Sequence, residues 1–173
     1  MADGFSTCMK DGLETTRSQY REVYLRAVAV VNAEGDVFDE WGRVIAGARN
    51  ERTKFACLNT ELDMVRVWER REMAREQHIH TVLSVLMTNA GLSKLEAYRL
   101  AHNMQVRLSR VFYPYSTQYD GNVCFVLSSG AEQIDFEILA ELGGRTLHKA
   151  IISAVRSASP QGGIPSCSQV MSG

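Results

Sequence analysis

Short apolar segments of strand length recur along this sequence and limit the folds that it can adopt. Ala27–Val31 is a continuous apolar run, which is typical of a strand buried on both faces. Thr81–Met87 and Val123–Leu127 are further candidates of this kind. Val37–Phe38 and Val44–Ala46 predict two shorter strands around a turn. A chain with this many separated strand segments needs a sheet as its core.

Helical patterns lie between and after these strands. Ser93 and Glu96 form a capping-box pattern, followed by apolar residues at helical spacing until Pro114 ends the helix. Asp135 predicts the start of a long final helix, and Gly143 lies on its apolar face. We expect Gly143 to permit tight packing against a neighbour rather than to contact a ligand. Strands interleaved with helices predict an α/β, or layered α+β, domain.

Glu61–Gln77 is predicted to be an amphipathic helix in which arginines alternate with glutamates. Such a pattern can be a binding patch, but helical ion pairs on a solvated face are the more common cause, and we prefer that interpretation.

The two ends of the chain show less hydrophobic periodicity than its centre. We interpret residues 1–22 as a poorly defined lead-in, residues 23–158 as the main domain and residues 159–173, which are rich in Pro, Gly and Ser, as a surface tail. A total of 173 residues is suitable for one domain with a substantial core.

Composition argues against several classes of function. A formal net charge of −1 disfavours a nucleic-acid or anionic-membrane partner, and no apolar run approaches the length of a membrane span. The four cysteines form no CxxC pair, so we expect reduced thiols and a cytoplasmic protein.

Three polar groups at strand ends are candidates for chemistry. Asn32 can be a turn former, or its side-chain amide can donate to a developing oxyanion. Thr81, at the entry to a strand, is by itself an ordinary strand residue. Asp120-Gly121-Asn122 is by itself a turn that leads into the next strand.

His78 and His80 have the spacing of two residues on one face of a strand. Two histidines without a third ligand are a weak metal pattern, so no metal site is predicted.

The order of these segments resembles the DmpA-like family of L-aminopeptidase/D-esterases, together with β-peptidyl aminopeptidases and nylon-oligomer hydrolases. The similar segments cover about residues 25 to 158, in order and with few gaps. They are Ala27–Arg49, His80–Ala90, Leu92–Leu108, Pro114–Gly130 and Gly143–Ala158.

The resemblance implies a four-layer αββα sandwich and a chain that cuts itself before Thr81. By this resemblance Thr81 is the N-terminal nucleophile, and its freed amine, with a pKa of about 8, accepts the hydroxyl proton. Asn32 would stabilise the oxyanion, and Asp120 would orient the amine or its hydrogen-bond network. Asn122 stands where the family has a second Asp, and the loss of that carboxylate would lower the proton affinity of the amine and weaken its placement. The implied substrate is a small peptide or amide, and no metal or organic cofactor is required.

The sequence departs from the family pattern near the expected cleavage point. His80 precedes Thr81 where the family has Asn or Gly, Val82 replaces a second Thr, and Asn122 replaces an Asp. The N-terminal half of the family pattern does not match residues 1–24. We therefore expect either a homo-oligomer or a partner chain that supplies the missing half.

Two functions follow from the resemblance. The first is a self-processing aminopeptidase or amidase that acts through an acyl-enzyme. The alternative is an inactive, truncated remnant with only a structural or oligomer-forming role.

Overall fold

The computed structural model describes residues 9–33, 35–49, 80–117 and 120–171. Within these residues the chain forms seven strands and three helices. The strands are β1 (Leu13–Tyr20), β2 (Val23–Val30), β3 (Asp36–Phe38), β4 (Val44–Ala46), β5 (Leu83–Ala90), β6 (Phe112–Tyr113) and β7 (Val123–Glu132). The helices are α1 (Lys94–Leu108), α2 (Phe136–Ser157) and α3 (Cys167–Met171).

The main sheet has the strand order β1-β2-β5-β7. β1 and β2 form an antiparallel hairpin, β2 is antiparallel to β5, and β5 is parallel to β7. The parallel pair is connected through α1, as a crossover between parallel strands requires. A smaller sheet has the order β4-β3-β6, so both of the short strands predicted from the sequence are present.

Both long helices cover the same face of the main sheet. α2 packs on β1 and β2, while α1 packs on β7 and on α2. The inward residues of α2 recur at helical spacing and are fully or almost fully buried: Leu139, Gly143, Leu147, Ala150, Ile151 and Ala154. They meet the inward residues of the strands, such as Leu25, Ala27 and Leu86. The result is a helix layer on a sheet layer.

Both predicted helix starts are confirmed. Ser93 Oγ accepts from the Glu96 N–H at 3.3 Å, and the Glu96 carboxylate accepts from the Ser93 N–H at 2.8 Å. Asp135 Oδ1 accepts from the N–H groups of Glu137 and Ile138. These bonds satisfy amide groups that have no partner within the first helical turn.

Tight packing at Gly143 is also confirmed. A Cβ atom added there would lie 2.7 Å from Leu86 Cδ2 and 3.4 Å from Met104 Sδ. The missing side chain therefore lets α2 approach β5 and α1 closely.

The main strands are buried on one face only, and this corrects the expectation of burial on both. In β2, Val23, Leu25, Ala27 and Ala29 are buried, whereas Val30 is 37% exposed. β5 shows the same alternation, and so does β7 from Val123 to Leu127. The apolar run was correctly identified as a strand, but the second layer that would bury its other face is not among the described residues.

The two ends of the chain also differ from expectation. Leu13–Tyr20, assigned to the lead-in, is the edge strand β1. The tail carries α3, in which Cys167 and Val170 are buried, and Ser166 before it is fully buried. The predicted helix Glu61–Gln77 lies outside the described residues.

Among the helices that the structure describes, none combines the length and the apolar character needed to cross a lipid bilayer.

The Asp135 cap yields a stability prediction. Replacing Asp135 by Ala removes the acceptor for two N–H groups and should lower the free energy of unfolding by about 1 kcal/mol in urea titrations. Asp135→Asn keeps an oxygen at the same place and serves as the control, with a loss of only a few tenths of a kcal/mol expected. Equal losses in the two variants would contradict the assigned cap.

Candidate active site

Three chain segments meet at one edge of the main sheet. Asn32 follows β2, Thr81 precedes β5, and Asp120 precedes β7. Because β2 is antiparallel to β5 and β5 is parallel to β7, the end of β2 lies beside the starts of the other two strands. The Thr81 N–H donates to the Asn32 carbonyl at 2.9 Å, and His80 forms a parallel bridge with Asp120. The residues singled out in the sequence are therefore neighbours in space.

The side chain of Asn122 joins two of these segments. Its Oδ1 accepts from the Val82 N–H at 2.8 Å, and its Nδ2 donates to Asp120 Oδ2 at 2.6 Å. An ionised carboxylate at position 122 could accept hydrogen bonds but could not donate one. Only an amide can make both of these contacts. Asn122 thereby couples the Asp120 carboxyl to the backbone next to Thr81.

The Asp120 carboxyl is half-buried in this network. Burial raises the pKa of Asp120, while the Ser116 N–H, which donates at 3.0 Å, and the nearby His80 act in the opposite direction. The net pKa is above the ordinary value for Asp, because loss of hydration disfavours the charged form.

The Thr81 hydroxyl points to the carbonyl of the preceding residue. Thr81 Oγ1 donates to the His80 oxygen at 2.8 Å, and the same oxygen accepts from the Gly121 N–H at 3.1 Å. A Cβ atom added at Gly121 would lie 2.9 Å from Thr81 Oγ1. Glycine at position 121 thus lets the backbone approach both the hydroxyl and the carbonyl.

Two residues that sequence reasoning missed support the Asp120–Asn122 loop. Gln105, on α1, donates to the Asn122 carbonyl at 3.1 Å, and the Tyr115 hydroxyl donates to Gln105 Oε1. Burial, with contributions from Asp120 and Cys124, raises the pKa of Tyr115 to about 12, so it is a neutral donor at physiological pH. Neither residue forms a motif, and only the fold brings them together.

Asp11 was missed as well, since it lies in the segment interpreted as a lead-in. Its Oδ2 accepts from the Ala33 N–H at 3.0 Å, directly after Asn32. The neighbouring Gly12 carbonyl accepts from the Val31 N–H at 2.9 Å. Two contacts from the start of the chain thus fix the backbone on both sides of Asn32.

The edge is open to solvent on the side of Asn32. Asn32 is exposed and Thr81 is half-buried, so a small molecule can reach both. The arrangement offers a hydroxyl, a side-chain amide and a carboxyl within one short stretch of sheet edge. Among the described residues, no three His, Cys, Asp or Glu side chains are grouped as a metal site would require.

Comparison with known proteins gives one family match. The family model described as peptidase family S58 matches residues 14–165. The match includes all of β1 except Leu13, and it includes the candidate residues Asn32, Thr81, Asp120 and Asn122. No curated protein sequence matches the chain.

Several solved structures have a similar fold. The L-aminopeptidase D-Ala-esterase/amidase from Ochrobactrum anthropi, described as a variant of the Ntn hydrolase fold, has a TM-score of 0.59 at 14% identity, over 91% of this chain and 43% of that chain. The PH0078 protein from Pyrococcus horikoshii OT3 has a TM-score of 0.53 at 14% identity, over 95% and 44%. A β-aminopeptidase from Burkholderia sp. has a TM-score of 0.55 at 13% identity, over 96% and 50%.

The chain spans about half the length of these solved chains, from 43% to 50%. At identities of 13–14% the likeness concerns the fold alone. It identifies the helix-on-sheet unit as part of an Ntn hydrolase fold.

The raised pKa of Asp120 yields a pH prediction. Because its folded-state pKa lies above the unfolded value of 3.8, the stability that this group contributes is present below that value and is lost as pH rises through the folded pKa. The melting temperature of the wild type should therefore fall relative to that of Asp120→Asn between about pH 3 and pH 7.

Glu96→Gln is the control for this measurement. Hydrogen bonds from Ser93 lower the pKa of Glu96, so the wild type should gain stability relative to this variant as pH rises. A rise of wild-type stability relative to Asp120→Asn over the same range would contradict the assigned burial of Asp120.

Proposed function

The chain belongs to peptidase family S58, and we propose that it is a self-processing amide hydrolase of the aminopeptidase type with Thr81 as its nucleophile. Cleavage before Thr81 gives that residue a free amine beside its hydroxyl, and the mature site then hydrolyses small peptides or amides through an acyl-enzyme. The reaction needs no cofactor.

The observation that supports this proposal most directly is the convergence at the sheet edge. Self-cleavage requires a residue with a hydroxyl group. It also requires a hydrogen-bond donor directed at the carbonyl oxygen of the preceding residue. Here the His80 carbonyl oxygen accepts from the Gly121 N–H at 3.1 Å, while Thr81 Oγ1 lies 2.8 Å from that oxygen. An N–H donor at this position stabilises negative charge that develops on the oxygen.

The processing step needs only groups of this chain and one water molecule. Thr81 Oγ1 attacks the His80 carbonyl carbon, the hydroxyl proton passes to the Thr81 nitrogen, and the carbon–nitrogen bond breaks to leave an ester. This break also frees the Thr81 amine. Water then hydrolyses the ester, which leaves a carboxylate on His80 and restores the Thr81 hydroxyl. In the present rotamer the hydroxyl hydrogen faces the carbonyl oxygen, so attack requires a rotation about χ1.

In turnover the freed amine of Thr81 takes the place of an external base. An α-amine has a pKa of about 8, which is suitable for accepting the hydroxyl proton near neutral pH. The side-chain amide of Asn32 donates to the oxyanion of the substrate. Attack gives an acyl-enzyme and releases the amine product, and water then releases the acid product.

Asp120 and Asn122 position the nucleophile in this mechanism. The 2.6 Å bond from Asn122 Nδ2 to Asp120 Oδ2 and the 2.8 Å bond from the Val82 N–H to Asn122 Oδ1 form a chain from the carboxyl to the backbone beside Thr81. Asn at position 122, where the family resemblance implies Asp, avoids a like charge next to Asp120 and keeps a donor directed at it.

One observation favours a second candidate function. The uncovered face of the main sheet is also consistent with a non-catalytic protein that has a structural or oligomer-forming role. The two functions differ in whether the chain is cleaved and whether it hydrolyses amides.

Intact-mass analysis of purified protein distinguishes them. Self-processing of the 173-residue chain should give fragments of 80 and 93 residues, the second beginning with Thr81. Thr81→Ala should remain whole, and its hydrolysis of aminoacyl anilides and β-peptides should fall at least about a thousandfold. Thr81→Ser keeps a hydroxyl and is the control. A wild-type chain that stays whole and inert would contradict the proposal.

Gly121→Ala should lower the activity while leaving the stability nearly unchanged. The added methyl group would lie 2.9 Å from Thr81 Oγ1 and should turn the hydroxyl away, which we expect to reduce turnover by about a hundredfold. The melting temperature should change little, because a threonine side chain can rotate to relieve the contact. Ser129→Ala, a small substitution on an exposed part of β7, is the control. Unchanged turnover in Gly121→Ala would argue against Thr81 Oγ1 as the nucleophile.

A further inference from the structure

A groove runs along the polar side of α2 and is bordered by the turn between β3 and β4. Its volume is about 700 Å³, within the range of about 300–1,000 Å³ that is usual for small-molecule sites. The helix contributes residues that lie on one of its faces, from Arg145 to Ser157, and the turn contributes Glu40. We call this surface the α2 groove. None of its lining residues belongs to the candidate active site.

Asp39 fixes the position of the turn relative to α2. Its Oδ1 accepts from the N–H groups of Trp41 and Arg43 at 3.0 and 2.9 Å. Its Oδ2 lies 3.6 Å from a guanidinium nitrogen of Arg156, and the Asp39 side chain is only 1% exposed. Because a buried carboxylate that lost these partners would be left unpaired, the turn is held against the helix. Glu40 follows Asp39 directly, so the groove has a defined second wall.

The two walls of the α2 groove carry opposite charges that are not paired. Glu40 stands on the turn and Lys149 on the helix, and neither forms an ion pair with any residue that the structure describes. The other cations of the groove, Arg145 and Arg156, each have a carboxylate partner, at 2.8 and 3.6 Å. One carboxylate and one ammonium therefore line the groove without a partner in the described chain.

His148 does not neutralise Glu40. Burial lowers the pKa of His148, Glu40 and Asp39 act in the opposite direction, and Arg110 adds to the lowering. The imidazole is therefore neutral near neutral pH, and Glu40 keeps its charge. Within the described parts of the chain, Nε2 of His148 is buried and has no hydrogen-bond partner, which is unfavourable for a polar atom. A turn of the ring toward the groove would give this nitrogen a partner in a bound ligand.

A ligand with a positive group at one end and a negative group at the other matches these charges. An ammonium on Glu40 and a carboxylate on Lys149 would each form charge-assisted hydrogen bonds. Ser153 lies one helical turn after Lys149 and offers a hydroxyl beside the carboxylate, while Ile152, which is 7% exposed, gives the groove an apolar surface for a side chain. A simple anion such as phosphate would instead leave Glu40 beside a like charge.

We propose that the α2 groove binds a small zwitterion, an amino acid or a short peptide, with its ammonium on Glu40 and its carboxylate on Lys149. No bond is made or broken in the groove. The proposal is independent of the function proposed for Thr81, because the two sites share no residue.

Isothermal titration calorimetry with the dipeptide Ala-Leu tests this site. The protein carries Thr81→Ala, so that neither cleavage nor turnover contributes heat. N-acetyl-Ala-Leu lacks the ammonium and Ala-Leu amide lacks the carboxylate, and we expect both to bind at least about tenfold more weakly than Ala-Leu. Leucine is the fourth probe, since its affinity relative to that of Ala-Leu distinguishes an amino-acid site from a peptide site.

Substitutions then assign each end of the ligand to a residue. Glu40→Gln should abolish the preference for Ala-Leu over N-acetyl-Ala-Leu, and Lys149→Gln should abolish the preference for Ala-Leu over its amide. Glu22→Gln in the turn between β1 and β2 and Lys94→Gln on α1 change the same charges elsewhere on the surface and should leave both preferences intact.

Three results would overturn the proposal. They are the absence of saturable binding of both leucine and Ala-Leu, equal affinities for the free and the blocked dipeptides, and preferences that survive Glu40→Gln and Lys149→Gln. The last result would locate the bound dipeptide outside the α2 groove.

Discussion

The structure depends on the position of β5 between an antiparallel neighbour and a parallel one. This arrangement places the start of β5 beside the end of β2 and the start of β7. Main-chain bonds fix the junction: the Thr81 N–H to the Asn32 carbonyl at 2.9 Å, and the Val123 N–H to the Val82 carbonyl at 3.0 Å. Three segments that are distant in sequence thus meet at one edge, and the chemistry proposed for Thr81 follows from that strand pairing.

Features with a local physical signal were predictable from the sequence. The helix starts at Ser93 and Asp135 were predicted because a cap is a contact between residues two or three positions apart. β1 was missed because Leu13–Tyr20 is an edge strand whose alternating residues are exposed, so its sequence lacks the apolar face that marks a strand. The apolar run in β2 was sufficient to predict a strand. It could not predict how many faces of that strand are buried within the chain.

The candidate site was predicted only through the family resemblance. Thr81, Asn32 and Asp120 are each ordinary in isolation, and their meeting depends on sheet topology. Asp11, Gln105 and Tyr115 carried no signal, because their contacts with Ala33, Asn122 and each other join elements far apart in the chain. The amide of Asn122, a departure from the family pattern, proves to have a geometric role as the link between Asp120 and Val82.

The proposed function requires the hydroxyl of Thr81 to accept an acyl group. The most direct measurement is mass spectrometry of protein incubated with an aminoacyl ester and quenched in acid, followed by peptide mapping. We expect an added acyl group on the peptide that begins with Thr81. An acyl group on another residue, or none while the ester is being hydrolysed, would contradict it.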